Sequence, residues 1–261
     1  MAFERREIAP HRYVLVSDAL NRAGFLAAFS ERTGGTSKGP FRSLNLSLGV
    51  DDDEKHVREN RAGLAEGLDT APWTMPEQVH GTRVVQVGAK RAGAGFDDDG
   101  SRVPKADVLL TKASGVPLAV LTADCMPIVV ASSADGLVAI VHAGWRGLAE
   151  GLLQEVAARF PDPSSVRAAI GPAIGPCHYE VGEDVALAVS AGTESGAATE
   201  RRGGRLYLDL VKTARAELRS RGIRAVEDTG LCTACEKERF FSHRRDDAIT
   251  GRQAGIAMRI A

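Results

Sequence analysis

The segment "LVAIVHAGWRGLAEGL", residues 137 to 152, constrains the fold more than any other. An apolar run bounded by turn residues reads as a buried strand. This one stops on His142, passes through Ala143-Gly144-Trp145-Arg146-Gly147, and resumes with helical spacing. Packing accounts for the valines and isoleucine but not for a histidine, two glycines, a tryptophan and an arginine in six positions. With residues 137–142 as strand and a helix starting near Arg146, the glycines allow a tight turn and close approach of backbone to a ligand. The free N–H groups at the helix start would then favour an anion such as phosphate. Arg146 adds a planar fork of donors suited to phosphate oxygens. The alternative is a strand-to-helix turn in which Trp145 plugs the core and Arg146 is solvated. The residues of this segment admit both.

Two neighbouring runs repeat the pattern of a polar residue set into apolar surroundings. "VPLAVLTADCMPIVVAS" holds two β-type runs separated by Thr-Ala-Asp-Cys, with Pro127 expected to prevent an uninterrupted central strand. "PEQVHGTRVVQV" places His80, followed by glycine, at the entrance to a strand. Taken singly, a buried cysteine is a small hydrophobe and a lone histidine a hydrogen-bonded structural residue. Together, His80, Cys125 and His142 form a three-ligand zinc set with a fourth position open for water or substrate. They lie 45 and 17 positions apart, so no local metal motif exists and the fold must bring them together.

Competing constellations are present. Cys232-x-x-Cys235 suits half of a structural zinc site or a redox pair, and only Cys177-His178 offers an obvious second half, at irregular spacing. A cysteine hydrolase with Cys125 as nucleophile and His142 as base is chemically sensible. A serine triad is less so, because no G-x-S-x-G elbow occurs. Arg32 beside Gly34-Gly35, and Arg244-Arg245 before Asp246-Asp247, could face the same pocket or form ion pairs holding the chain ends together, the ion pairs being the default reading.

The rest of the chain reads as α+β, a single domain (1–261) of mixed β-sheets with flanking helices. "DDDEKHVRENRAGLAEGL" is a helix opened by acidic caps with Val57, Leu64 and Leu68 on one face. "LDLVKTARAELRSRG" is another, capped by Asp209, ended by Gly222, with Leu210, Ala214 and Leu218 on one face. "TRVVQVG", "ADVLLTK" and "VRAAIGPAIGP" supply strands, the last running into a stiff turn. "AKRAGAGFDDDGSRVPK" reads as an exposed loop. A helix starting near 183 fades into "SAGTESGAATERRGG", read as a mobile surface loop. Strands outnumber helices without regular alternation, which disfavours a doubly wound sheet.

Bulk properties narrow the function. Hydrophobic residues make up 44% and charged residues 26% of the 261 positions, which suits a soluble globular protein. A net charge of -1 and a pI near 6.6 give no electrostatic reason for a nucleic-acid or membrane partner. "MAFERREIAPHRY" has no apolar core and is no secretory signal, and no apolar stretch reaches the ~20 residues of a membrane span. A cytoplasmic protein is expected, with the four cysteines as core thiols, metal ligands or a nucleophile.

At "QVHG", "TADCMPIVV", "VHAGWRG", "IGPAIGPCHYEVG" and "FFSHRRDDAITGRQAGIA" the chain resembles the peptidoglycan editing factor, or laccase-domain, family. Its members are also described as purine nucleoside phosphorylases and were formerly described as multicopper polyphenol oxidases. "FSERTGGTSKGPFRSLNL" fits as well, so the resemblance spans nearly the whole chain. It implies a zinc held by His80, Cys125 and His142, which then carry the catalysis. It implies phosphorolysis of adenosine, inosine and methylthioadenosine, with adenosine deaminase activity beside it. Copper-dependent phenol oxidation is also reported for the family, so Cu2+ is a second candidate ion. Six histidines without a His-x-His pair argue against a multicopper cluster. On this reading the partners are a small-molecule nucleoside and phosphate, the phosphate seated near Gly144, Arg146 and Gly147. Glu180 of "CHYEVG" is the expected proton shuttle, with a capping role equally open. Cys235 departs from the family pattern and receives no role. The rival classes are a peptidoglycan-precursor editor or cysteine hydrolase using Cys125, and a non-catalytic binding protein.

Overall fold

The run 126–132 forms a strand, β7 (Met126–Ser132), whose side chains alternate between two cores, as an extended chain requires. Val129 and Ala131 join one buried cluster, Ile128 and Val130 another. With both faces covered, the strand has no polar side to show, hence its unbroken apolar sequence. The computed structural model describes residues 2–260.

β7 lies inside a six-stranded sheet ordered β13-β9-β7-β8-β5-β4. Its other members are β4 (Val84–Gln86), β5 (Val108–Thr111), β8 (Leu137–Ala143), β9 (Val166–Ile170) and β13 (Ala225–Asp228). The two edge pairs are parallel and the interior pairs antiparallel. A second, five-stranded antiparallel sheet runs β1 (Phe3–Ala9), β2 (Arg12–Ser17), β3 (Phe25–Ser30), β14 (Gln253–Arg259), β6 (Leu118–Thr122). The two sheets pack face to face. Phe29, Leu118 and Val120 of one meet Leu109, Val129 and Ile140 of the other.

Helices cover both outer faces. α3 (Trp145–Ala149), α4 (Leu152–Ala157), α5 (Glu183–Ala191) and α6 (Leu210–Ser220) bury Leu148, Leu152, Val189, Ala214 and Leu218 against the six-stranded sheet. α2 (Glu54–Gly67) packs Leu64 and Ala65 on the five-stranded sheet, beside Leu44, Trp73 and Met75 from the connecting segments. The short α1 (Asp18–Arg22) follows β2. A three-stranded sheet, β10 (Glu180–Val181), β12 (Arg205–Leu208) and β11 (Thr199–Arg202), lies beyond the sandwich. The architecture is α+β with mixed sheets and flanking helices, as the sequence pattern predicts, and its layers number four. Asp53 and Asp209 cap α2 and α6 through their side chains, and Gly222 at φ +85° ends α6.

Three expectations are corrected. Pro127 does not interrupt β7; it is the second residue of a central strand. Its carbonyl accepts from Gly171 N, so its missing N–H also faces the β9 side, where pairing begins only at Ile128. The segment after α5 is not simply a loop, because residues 199–208 form a hairpin. Gly203 and Gly204 at its tip both have positive φ, which the tight turn needs. The segment between β4 and β5 is only partly exposed: Phe96 and Val103 are buried, Phe96 edge-on to Trp73.

Candidate metal centre

β5 and β8 are antiparallel with Val108 opposite Val141, which continues to place Asp107 opposite His142 at the sheet end. His142 N donates to the Asp107 carbonyl at 2.8 Å, and His142 Nδ1 donates to Asp107 Oδ1 at 2.7 Å. With its proton on Nδ1, the ring leaves Nε2 as a free donor atom. The Asp107 carboxylate, fully buried, also accepts from Val79 N, His80 N and Gly81 N. It therefore orients both imidazoles, one through the ring and one through the backbone. His80 sits at φ +61°, a conformation a non-glycine residue holds only when surrounding bonds enforce it. Gln78 completes the clamp by pairing both ends of its amide with the backbone of Leu121, on the edge strand β6. The His80 and His142 rings then lie 4.8 Å apart, edge to face.

Cys125 comes from a different device. The chain leaves the five-stranded sheet at Thr122 and enters the six-stranded sheet at Met126, and the crossing carries Asp124 and Cys125. Asp124 has φ +90° and is fixed by Thr233 Oγ1 on Oδ1, Arg244 N on Oδ2 and Ile174 N on its carbonyl. Opposite it stands Gly144, the N-cap of α3. A Cβ on Gly144 would meet Cys125 Sγ at 2.9 Å and His80 Cδ2 at 3.3 Å. That glycine is required because the sulfur and the imidazole occupy the space of a side chain.

His80, Cys125 and His142 thus converge, with one donor atom from each within 4.8 Å of the others. Burial pushes the Cys125 thiol up, but the imidazoles of His142 and His80 overcome it and bring the thiol down to about 6. Burial likewise lowers His142, but Cys125 and Asp107 outweigh it and raise the ring to about 9. The pair therefore favours thiolate beside imidazolium, and a cation would take the place of the proton. Two imidazoles, one thiolate and a carboxylate behind the second histidine form a donor set that fits zinc, with its outer support in place.

A cavity of about 470 Å³ opens onto the three donors. Arg102, Arg146, Arg244 and Arg252 all line it, and its carboxylate, Asp124, is already committed to Thr233 and Arg244 N. Arg146 is exposed, its guanidinium 4.8 Å from the Trp145 ring centre. Gly147 packs on Leu152, where a Cβ would come within 2.9 Å of a methyl, and it does not line the cavity. Glu180 is also elsewhere: its carboxylate pairs with Arg205 at 3.0 Å, and the neighbouring Tyr179 faces the cavity instead. Arg32 bonds the carbonyls of Arg42 and Lys237 rather than a carboxylate, whereas Arg245 pairs with Asp246. Arg244 takes the pocket alternative rather than the default ion pair: it lies over Tyr179 in the cavity wall and donates to the Glu180 carbonyl.

Sequence reasoning missed Asp107, Asp124, Gln78 and Thr122. Asp107 had one signal, an acidic residue directly before the apolar "VLLT". Thr122 is buried in the cavity wall, and its hydroxyl finds no partner among the described residues. Among the described residues no helix is long and apolar enough to cross a membrane.

Known proteins share this arrangement of sheets. The chain is 40% identical over 242 residues to purine nucleoside phosphorylase YlmD of Geobacillus stearothermophilus, covering 88% of each. It is 38% identical over 237 residues to purine nucleoside phosphorylase YfiH of Escherichia coli, covering 89% of this chain and 93% of that one. The crystal structure of the Geobacillus stearothermophilus protein superposes with a TM-score of 0.93 at 38% identity, over 100% of this chain and 99% of that one. A Bacillus licheniformis protein, YfiH, does so at 0.88 and 32% identity, over 97% and 98%. The family model for multi-copper polyphenol oxidoreductase laccases matches residues 26–260. A match of that extent, with relatives this similar along the same length, makes the chain a member of the laccase-like family that includes the purine nucleoside phosphorylases YlmD and YfiH.

Proposed function

We propose that this chain is a metal-dependent purine nucleoside phosphorylase, taking adenosine, inosine or methylthioadenosine with phosphate as co-substrate. One observation carries the reading: a single cavity sets an imidazole–imidazole–thiolate triad facing four arginines. Its volume of about 470 Å³ lies within the ~300–1,000 Å³ usual for small-molecule sites. The named relatives supply the substrate class.

In phosphorolysis a phosphate oxygen bonds to the anomeric carbon as the carbon–nitrogen bond to the purine breaks. The bonding pair leaves on the purine, which takes up a proton, giving free base and the 1-phosphate of the sugar, ribose or its methylthio derivative. Such a site must hold an anion beside the sugar and place donors toward the base. Arg146, Arg244 and Arg252 direct their guanidinium groups at an aromatic ring or backbone carbonyls, so their charge is available to phosphate. Tyr179, raised to about 12 by burial and by Cys125, keeps its proton at neutral pH and serves as a donor. The unpartnered Thr122 hydroxyl is a second donor, satisfied by a ligand. His80, Cys125 and His142 would hold the ion, zinc on this donor set with Cu2+ the alternative, and a bound ion there supplies Lewis acidity at the cavity wall.

Adenosine deamination is the secondary activity on this reading. It needs a residue to move protons, and Glu180 is occupied by Arg205. A thiol hydrolase is the rival, favoured by one observation: Asp107 behind His142 completes a Cys125–His142–Asp107 chain. Metal analysis with thiol alkylation separates them, since metal-free active protein silenced by an alkylator supports the nucleophile.

The deciding assay incubates purified protein with adenosine, with and without phosphate, and quantifies adenine and inosine separately. Adenine release that depends on phosphate is expected, with loss of both metal and activity in Cys125→Ala. Adenine release that does not depend on phosphate, or full activity in Cys125→Ala, sinks the proposal; inosine formed without phosphate reports only the secondary deamination.

A further inference from the structure

Cys177 and His178 precede β10, and Cys232 and Cys235 follow β13, so two segments more than fifty residues apart meet at one end of the sandwich. Cys177 Sγ lies 3.4 Å from Cys235 Sγ. His178 Nδ1 lies 3.3 Å from Cys177 Sγ, 3.4 Å from Cys235 Sγ and 3.9 Å from Cys232 Sγ. All four donor atoms fall within 4.8 Å of one another. Ordinary zinc–sulfur and zinc–nitrogen bonds in a tetrahedron put donors about 3.5–3.8 Å apart. Four soft donors at these separations exceed what packing asks of surface residues, and Cys177, His178 and Cys235 are exposed.

We infer that Cys177, His178, Cys232 and Cys235 form a second, structural zinc site, distinct from the cavity and closed by four protein ligands. Binding would release the three thiol protons to solvent, and His178 Nδ1 would donate its lone pair to the ion. The surroundings suit the thiolate form of Cys232. Burial pushes that thiol up, but the backbone N–H groups of Gly175, Cys235 and Ala234 outweigh it and hold the thiol below its usual value. Gly175 N donates to Cys232 Sγ at 3.2 Å, support of the kind that steadies metal-bound sulfur. A cysteine pair alone does not require the histidine or the third thiol, and the Cys177–Cys235 gap exceeds the ~2.05 Å of a disulfide.

The position gives the site a purpose. Tyr179, next to His178, lines the catalytic cavity. Thr233, next to Cys232, donates to Asp124 Oδ1 at 2.6 Å, one residue from Cys125, and its carbonyl accepts from Arg245. A metal joining the two segments would hold that wall of the cavity in place without touching substrate.

Metal content of the purified protein tests this directly. Two zinc ions per chain are expected, one lost in Cys125→Ser and the other in the double variant Cys177→Ser/Cys235→Ser. Cobalt loaded into Cys125→Ser should show thiolate-to-metal absorption roughly three times as intense as cobalt loaded into the double variant, matching three sulfurs against one. A readout on unmutated protein covers misfolding of the variants. Alkylation with peptide mapping should find Cys177, Cys232 and Cys235 protected as purified and labelled after chelation. The inference is overturned by unchanged metal content in a folded double variant, by full labelling before chelation, or by a Cys177–Cys235 disulfide in the unreduced mass. Loss of metal from Cys125→Ser alone speaks only to the cavity, so the two sites fail separately.

Discussion

Asp107→Asn is the sharpest perturbation of the cavity, because it preserves size and removes only an acceptor and a charge. Oδ1 accepts from His142 Nδ1 and His80 N, and Oδ2 from Val79 N and Gly81 N. An amide has one oxygen. With that oxygen toward the histidines, its NH2 group opposes the N–H groups of Val79 and Gly81. Flipped, it opposes His142 Nδ1, and the ring must move its proton to Nε2, the nitrogen needed for a metal. The first orientation loses two of the four hydrogen bonds; the flipped one loses the His80 N bond and keeps the His142 contact only in the wrong tautomer. Hydrogen bonds to a charged acceptor are worth about 1.5–3 kcal/mol each, and neither orientation retains that charge. Val79 is 47% exposed, so water recovers part of the loss on that side. The expected cost is about 2–3 kcal/mol in stability and about 10–100-fold in metal affinity. Urea unfolding of metal-free protein measures the first, and zinc competition against a chromophoric chelator the second. A folded Asp107→Asn protein that holds zinc as tightly as the parent would refute the role given to this carboxylate.

Arg146→Ala should raise the phosphate KM by about tenfold, equivalent to ~1.4 kcal/mol, with a smaller change in the nucleoside KM; unchanged phosphate kinetics exclude Arg146 from the anion site. Gly144→Ala, at an ordinary φ of -95°, should cut metal occupancy by pressing on Cys125 and His80, while overpacking costs about 1–3 kcal/mol of stability. Full occupancy would show that the ligands do not need that space. Glu31, fully buried between Arg5 and Arg239, gives a pH signature. Burial pushes its carboxyl up, but the two guanidinium groups outweigh it and hold the group below the usual 4.5. The stabilisation is therefore complete above about pH 4.5 and is lost as pH falls through the lowered value. Glu31→Gln should cost about 2–3 kcal/mol near neutrality, both partners being partly solvated, and the difference from the parent should shrink as pH falls through the lowered value. A pH-independent difference in denaturation midpoint contradicts this account.

Much of the cavity was legible because its residues break patterns: a histidine ending an apolar strand, a cysteine between two others, a glycine after each histidine or nearly so. Donor chemistry suggests their grouping and the resemblance strengthens it, since nothing local joins His80 to Cys125. The supporting carboxylate was not legible, because an aspartate before a strand reads as a loop residue until β5 and β8 are known to pair. Pro127 misled for the same reason. Its tolerance depends on where β9 begins, a matter of sheet register rather than of sequence. Glu180 was placed by adjacency to the "CHY" motif, yet in an extended segment neighbouring side chains point to opposite sides, so Tyr179 and Glu180 could not share a destination. The cluster at Cys177, His178, Cys232 and Cys235 lacked familiar spacing, and only the approach of two loops assembles it.

The passage of the chain between the sheets at residues 122–126 has a consequence for how the centre comes into being. One donor arrives with the edge of the first layer, one on the bridge between layers, and one from the interior of the second. An ion meeting the unfolded chain would have to close two long loops to gather them, at entropic cost and with no stretch of sequence to nucleate on. Loading of an ion would therefore belong to the end of assembly, after the two sheets have docked and brought the three donors together.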